Sequence, residues 1–193
     1  MARFPSLPET PHLGDVFKSF GRGIWPLTEF HDIVLRGKSD WTIAEREMLA
    51  AYVSGLNACS FCHDTHKMIA EIHGVPESML RAMVDDPGNS GVSSQLLPVL
   101  AYLRKLTLTP SKMVDSDAQA VFAAGVSEQA LYDAIAVCAL FNFMNRIVEG
   151  CGVMTSDANL ATSRTRHEAT RESYQPYRDF ARGLGFAPED SRS

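Results

Sequence analysis

Apolar residues recur at intervals of three and four through most of this chain, and the strict alternation of a half-buried strand is nearly absent. That pattern restricts the chain to an all-α fold. Its breakers, Gly21-Arg22-Gly23, Gly74-Val75-Pro76, Pro87-Gly88-Asn89, Thr109-Pro110 and Gly125, mark where helices stop. Between them the spacing predicts helices at about 14–20, 26–36, 42–57, 58–72, 76–84, 93–106, 115–124 and 127–149. Pro26 falls in a first turn, where its missing N–H is harmless. Thr42 followed by Glu45 has the spacing of a capping box. The helix predicted at 127–149 is apolar all round its circumference over 134–141, the pattern of a central buried helix. Asn142, Asn145, Arg146 and Glu149 share one face of its end. That face reads either as a solvated terminus, with Arg146 and Glu149 paired, or as the lining of a polar cleft or subunit contact.

A chain of 193 residues falls in the range of one domain with a sizeable core. The helical pattern defines a domain over 1–155. Beyond it the composition turns to mixed charge and then regains aromatics at Tyr174, Tyr177 and Phe180. Residues 156–193 therefore read as a partly helical C-terminal arm that docks on the body or on a neighbouring subunit. The net charge of -5 argues against nucleic-acid or anionic-membrane binding. Prolines at 5, 8 and 11 interrupt the stretch where a signal peptide needs an apolar run. The longest strictly apolar run, 134–141, is eight residues, against the roughly 20 needed to span a bilayer. A soluble, cytoplasmic chain is expected. In a reducing compartment closely spaced cysteines serve redox chemistry or metal binding more often than structural disulfides.

Cys59-Ser60-Phe61-Cys62 followed by His66 places two thiols and an imidazole on one helical face. A cysteine in a first helical turn feels unpaired N–H groups and the positive dipole end, which favour its thiolate. His66, one turn beyond Cys62, is placed to accept or shuttle the proton. Glu47 shares a stripe of the preceding helix with Ile43, Ala50 and Ser54, so its carboxylate is either a solvated surface charge or turned toward the dithiol helix. Other readings of the thiols stay open. Cys59 through His63 matches the haem-attachment pattern C-x-x-C-H, which needs export and a second axial ligand. Zinc held by Cys59, Cys62 and His63 or His66 lacks a second knuckle, because Cys138 lies in the most apolar helix and Cys151 between two glycines. Both thiols buried as small hydrophobes, or a non-enzymatic redox sensor, are further alternatives. Thioredoxin-type exchange delivers its dithiol from a strand, whereas the segment before Cys59 reads as helix. His12, His31, His73 and His167 show no ligand spacing and read as surface or loop positions, and Cys138 as core packing.

Glu47, eleven residues, Cys59-x-x-Cys62, three residues and His66 reproduce E-x11-C-x2-C-x3-H. In this the chain resembles the AhpD-like alkylhydroperoxidase branch of the carboxymuconolactone decarboxylase superfamily, over roughly residues 40–152. Thr42 through Ser54 and His66 through Gly74 resemble its flanks, and Val137 through Arg146 resembles the subgroup of peroxidase-related enzymes. The resemblance implies an all-helical AhpD-like bundle, homo-oligomers (commonly trimers or hexamers) and hydroperoxide reduction by the cysteine pair without cofactor or metal. In it Cys62 attacks the peroxide, Cys59 resolves the sulfenic acid as a disulfide, and Glu47 with His66 forms the proton relay. It also implies an external dithiol reductant, a lipoyl-bearing or thioredoxin-like protein. The lactone decarboxylases of the superfamily do not depend on a cysteine pair. One departure stands out: members often carry a second histidine between the cysteines, where Phe61 stands here. His63 lies about 100° further round the helix than Cys62.

Overall fold

The computed structural model describes residues 3–188, which are helical and contain no strand. In chain order the helices are α1 (Leu13–Ser19), α2 (Ile24–Arg36), α3 (Ile43–Leu56), α4 (Ser60–Ile72), α5 (Glu77–Ala82), α6 (Leu96–Leu108), α7 (Asp115–Ala123), α8 (Glu128–Cys151), α9 (Asp157–Ala169) and α10 (Pro176–Gly183). Single 3₁₀ turns at Pro87–Asn89 and Pro110–Lys112 sit where the breakers fall. The described residues divide into two compact units, one spanning 39–145 and the other made of the residues on either side of it, with a boundary inside α8.

In the 39–145 unit, α3 packs against α4 and α6, and α6 against α7. α3 starts at a capping box: the Glu45 N–H donates to Thr42 Oγ1 at 3.2 Å, and Thr42 N–H to Glu45 Oε2 at 2.8 Å. From Met48 to Val53 every residue of α3 is buried, so this helix is enclosed rather than amphipathic. Its small residues allow that. A Cβ on Gly55 would meet Val84 Cγ2 at 2.7 Å and His63 Nδ1 at 3.1 Å, so glycine lets the Val84 side chain pack this close to α3. The start of α8 is pinned to the segment before α3, with Trp41 Nε1 donating to the Ala130 carbonyl at 2.6 Å and Ser127 Oγ to Asp40 at 2.8 Å.

α8 differs from the helix expected. Val137, Cys138, Leu140, Phe141, Met144 and Val148 are buried, but Tyr132, Ala139 and Phe143 are exposed, so it is buried along one side rather than all round. Its small residues made the run look uniformly apolar. With 24 residues and a mean hydropathy of 1.3 in its most apolar window it has the length and composition of a span, yet half of that window is buried within the fold. A core helix passes the same test.

α6 and α7 are joined by Lys105, whose Nζ meets Asp117 at 2.6 Å, while Asp117 also accepts the Val114 N–H. The Lys105 ammonium, with that N–H, holds the Asp117 carboxyl below its ordinary range. A carboxyl lowered by folding stabilises above its unfolded pKa, and the contribution is lost as pH falls through the folded value. Asp117→Asn is therefore expected to reduce stability at neutral pH while flattening the acid limb of the stability profile below about pH 4. Urea titrations of both proteins at pH 3 and pH 7 measure it.

In the second unit α10 packs on α2. Asp32 accepts the N–H groups of Tyr177 and Arg178 at 3.0 and 3.1 Å and Arg178 Nε at 2.9 Å, so it caps α10 from another helix. The Tyr177 ring lies 5.1 Å from that of His31 and under Arg36. His31 and His167, read from sequence as surface residues, are buried. His31 follows Ile24 and Thr28 and precedes Leu35 on the inward face of α2, and its Nδ1 donates to the Leu27 carbonyl at 2.7 Å.

Candidate active site

The turn from α3 to α4 places the two thiols. The Ala58 N–H donates to the Gly55 carbonyl and the Cys59 N–H to the Ser54 carbonyl, both at 3.0 Å, the paired bonds of a Schellman motif closing α3. Ala58 is its left-handed residue, with φ +54°, alone among the described non-glycine residues in having positive φ. Glycine is usual there because a Cβ costs about 1–2 kcal/mol in this region. Ala58→Gly is therefore expected to stabilise the protein by about 1 kcal/mol, after the entropic cost of glycine; thermal unfolding in parallel with the parent checks it.

Cys59 is at once the last residue of that motif and the N-cap of α4. The sequence reading put it within the first turn. The difference matters, because in a capping box the N-cap and N3 side chains each reach the other residue's backbone N–H, which brings these two positions close, and Cys62 is at N3. Both cysteines are buried, and all four of the chain are present as thiols.

His66 follows Cys62 by one turn on the same face of α4. Its Nδ1 lies 2.5 Å from Glu47 Oε2. Glu47 is 0% exposed, so it is not the solvated surface charge that its stripe allowed. An ionised carboxylate only accepts, so with Glu47 charged the imidazole carries its hydrogen on Nδ1 and keeps the lone pair on Nε2. The Phe141 ring packs against the imidazole, with centroids 4.4 Å apart and the two planes nearly perpendicular. α3, α4 and α8 thus bring together a buried carboxylate, imidazole and aromatic ring, with the buried Cys62 one turn from the imidazole on α4.

His63 is turned elsewhere. Its Nδ1 donates to the Ala51 carbonyl at 2.9 Å, which fastens it to the α3 backbone. Phe61 is partly exposed. Cys138 is buried against Thr107 Oγ1, and burial pushes its thiol up, as befits a packing residue. Cys151 is partly buried and raised for the same reason. Among the described residues no group of three or more His, Cys, Asp or Glu side chains is arranged to hold a metal ion.

The face of Asn142, Asn145, Arg146 and Glu149 divides. Arg146 and Glu149 are exposed, whereas Asn145 is buried and Asn142 half-buried, and both turn toward Asn57 at the C-cap of α3. Sequence reasoning did not find Asn57 or Phe141. The partners of Asn57 lie 85 and 88 residues along the chain, and no local pattern announces such a contact.

No protein-family model matches the chain, and no curated protein is significantly similar to it. Solved structures are. An uncharacterized peroxidase-related protein from Silicibacter sp. TM1040 superposes with a TM-score of 0.65 at 20% identity, covering 69% of this chain and 70% of that one. The alkylhydroperoxidase AhpD core of an uncharacterized peroxidase-related protein from Ralstonia eutropha JMP134 gives a TM-score of 0.65 at 20% identity, over 72% and 73%. At this identity the likeness is one of fold: the chain has the all-α, AhpD-like helical fold.

Proposed function

We propose that this protein is a thiol-dependent hydroperoxide reductase working through a Cys59–Cys62 dithiol/disulfide cycle. The observation that carries the reading is a fully buried Glu47 carboxylate 2.5 Å from the ring of His66, one helical turn beyond Cys62. A carboxylate held out of water against an imidazole orients that imidazole and stabilises its protonated form. In the cycle His66 Nε2 takes the Cys62 proton. The thiolate attacks the outer peroxide oxygen, the O–O bond breaks, and the proton goes to the leaving alkoxide, giving an alcohol and a Cys62 sulfenic acid. The Cys59 thiol then attacks the sulfenic sulfur and water leaves, which closes the disulfide. One peroxide is reduced by two electrons, and two thiols are oxidised by two. An external dithiol, lipoyl-bearing or thioredoxin-like, restores the pair by exchange, as in a cytoplasmic setting. The peroxidase-related names of the structural neighbours favour this class of chemistry.

The test is to give reduced protein cumene hydroperoxide and follow peroxide and thiols. The wild type is expected to consume peroxide, Cys62→Ser to leave it untouched, and Cys59→Ser to stop at a sulfenic acid that dimedone traps. Equal consumption by wild type and both variants contradicts the reading.

The reading extends to a homo-oligomer. Tyr132, Ala136, Ala139 and Phe143 fall at successive turns of α8, and Tyr132 and Phe143 are 66% and 50% exposed. A second copy of the chain is the occupant proposed for this stripe. Phe143→Asp is expected to shift sedimentation toward the monomer; an unchanged sedimentation coefficient removes α8 from the interface.

A further inference from the structure

Asn57, Asn142 and Asn145 form a run of side-chain amides that the proposed chemistry leaves unused. Asn57 Nδ2 donates to Asn145 Oδ1 at 2.9 Å and reaches Asn142 Oδ1 at 3.3 Å. Asn145 Nδ2 donates to Ser54 Oγ at 3.0 Å, and Asn142 Nδ2 to the Cys138 carbonyl at 3.0 Å. Asn145 is buried, and a buried amide is costly unless its donors and acceptors are satisfied. A leucine would fill such a helix position at no such cost.

Both ends of the Asn145 amide land on one turn. Ser54 and Asn57 both belong to the Schellman motif, and the Ser54 carbonyl is the acceptor for the Cys59 N–H. The motif is held against a standing conflict, since its left-handed position carries Ala58 rather than glycine. A turn that would relax if released, and that presents a redox-active sulfur, is thereby clamped from α8.

We propose that Asn145, acting with Asn57, is a positioning residue for the dithiol: it holds the 57–59 turn so that the Cys59 sulfur stays at the N-cap, within bonding reach of Cys62 at N3. The proposal rests on the reading of Cys59 and Cys62 as a redox pair. Holding the two sulfurs together raises their effective concentration and favours the disulfide over the dithiol. Releasing the turn lets Cys59 sample positions from which no bond forms, and the equilibrium moves toward the thiols.

Full-length protein is equilibrated in dithiothreitol buffers of graded oxidation, quenched by alkylation, and the Cys59–Cys62 disulfide quantified by mass spectrometry. Asn145→Ala and Asn57→Ala are each expected to move the exchange constant about tenfold toward the dithiol, about 30 mV less negative in potential. Leu103→Ala, a core truncation on α6, serves as the control for general loosening and is expected to leave the constant where it is. Asn57 is only partly buried, so its variant carries the test if Asn145→Ala does not fold. A constant within about twofold of wild type in the folded asparagine variants overturns the positioning role and leaves the redox reading standing. An equal shift in Leu103→Ala overturns it too. A wild type that forms no Cys59–Cys62 disulfide in any buffer overturns the redox reading, and the proposal with it.

Discussion

Replacing Glu47 with glutamine is expected to slow the first oxidation of Cys62 by hydroperoxide by about 10²–10⁴-fold, the range of a positioned acid–base group. The side chain keeps its volume in a site with no exposure, so the loss is chemical rather than steric. A neutral amide still bonds to Nδ1 of His66, at present 2.5 Å from the carboxylate, but supplies no charge to stabilise the imidazolium that the proposed cycle forms on taking the Cys62 proton. Glu47→Ala separates the two effects. It leaves a cavity and removes one partner of a buried pair, at a cost of about 3–5 kcal/mol. Stopped-flow measurement of thiol loss, with urea titration alongside, distinguishes a slow enzyme from an unfolded one.

A stability effect as large is expected at Phe141. Its ring is buried at the inward side of α8 and packs nearly perpendicular to the His66 ring, with centroids 4.4 Å apart. Truncation to alanine removes a large apolar side chain and leaves a cavity beside the site, at about 3–5 kcal/mol. Against a total of about 5–15 kcal/mol for a domain, that brings the protein close to unfolding. Phe141→Leu is the informative companion. It retains most of the packing, so about 1 kcal/mol is lost from stability. It also removes the aromatic ring packed against the imidazole, and thiol oxidation is expected to slow by about tenfold through misorientation of His66.

What was legible in the sequence was periodic or local. The three-to-four spacing gave an all-α chain, and Thr42 with Glu45 gave the start of α3 because a capping box is written within four residues. Glu47 and His66 were legible as candidates because each sits at a fixed phase on its helix. Their contact was not, since a stripe of small residues serves a solvated carboxylate as well as a buried one. Ala58 was illegible for a different reason. Turn prediction relies on glycine or asparagine to announce positive φ, and an alanine at φ +54° carries no such signal, which displaced the start of α4 from 58 to Ser60. His31 and His167 were misplaced because a lone histidine has no pattern of its own; the burial of His31 follows from the phase of its apolar neighbours on α2. The asparagine run joins positions more than 80 residues apart, and only the tertiary fold brings them together.

A single-turnover experiment tests the central claim most directly. Reduced protein receives one equivalent of cumene hydroperoxide, and intact-mass and peptide analysis locate the oxidation. The account predicts that peroxide disappears mole for mole with a species two hydrogens lighter, bridged between Cys59 and Cys62, while Cys138 and Cys151 remain alkylatable. Peroxide that persists beside intact Cys59 and Cys62 thiols, or a product oxidised only at Cys151, would contradict it.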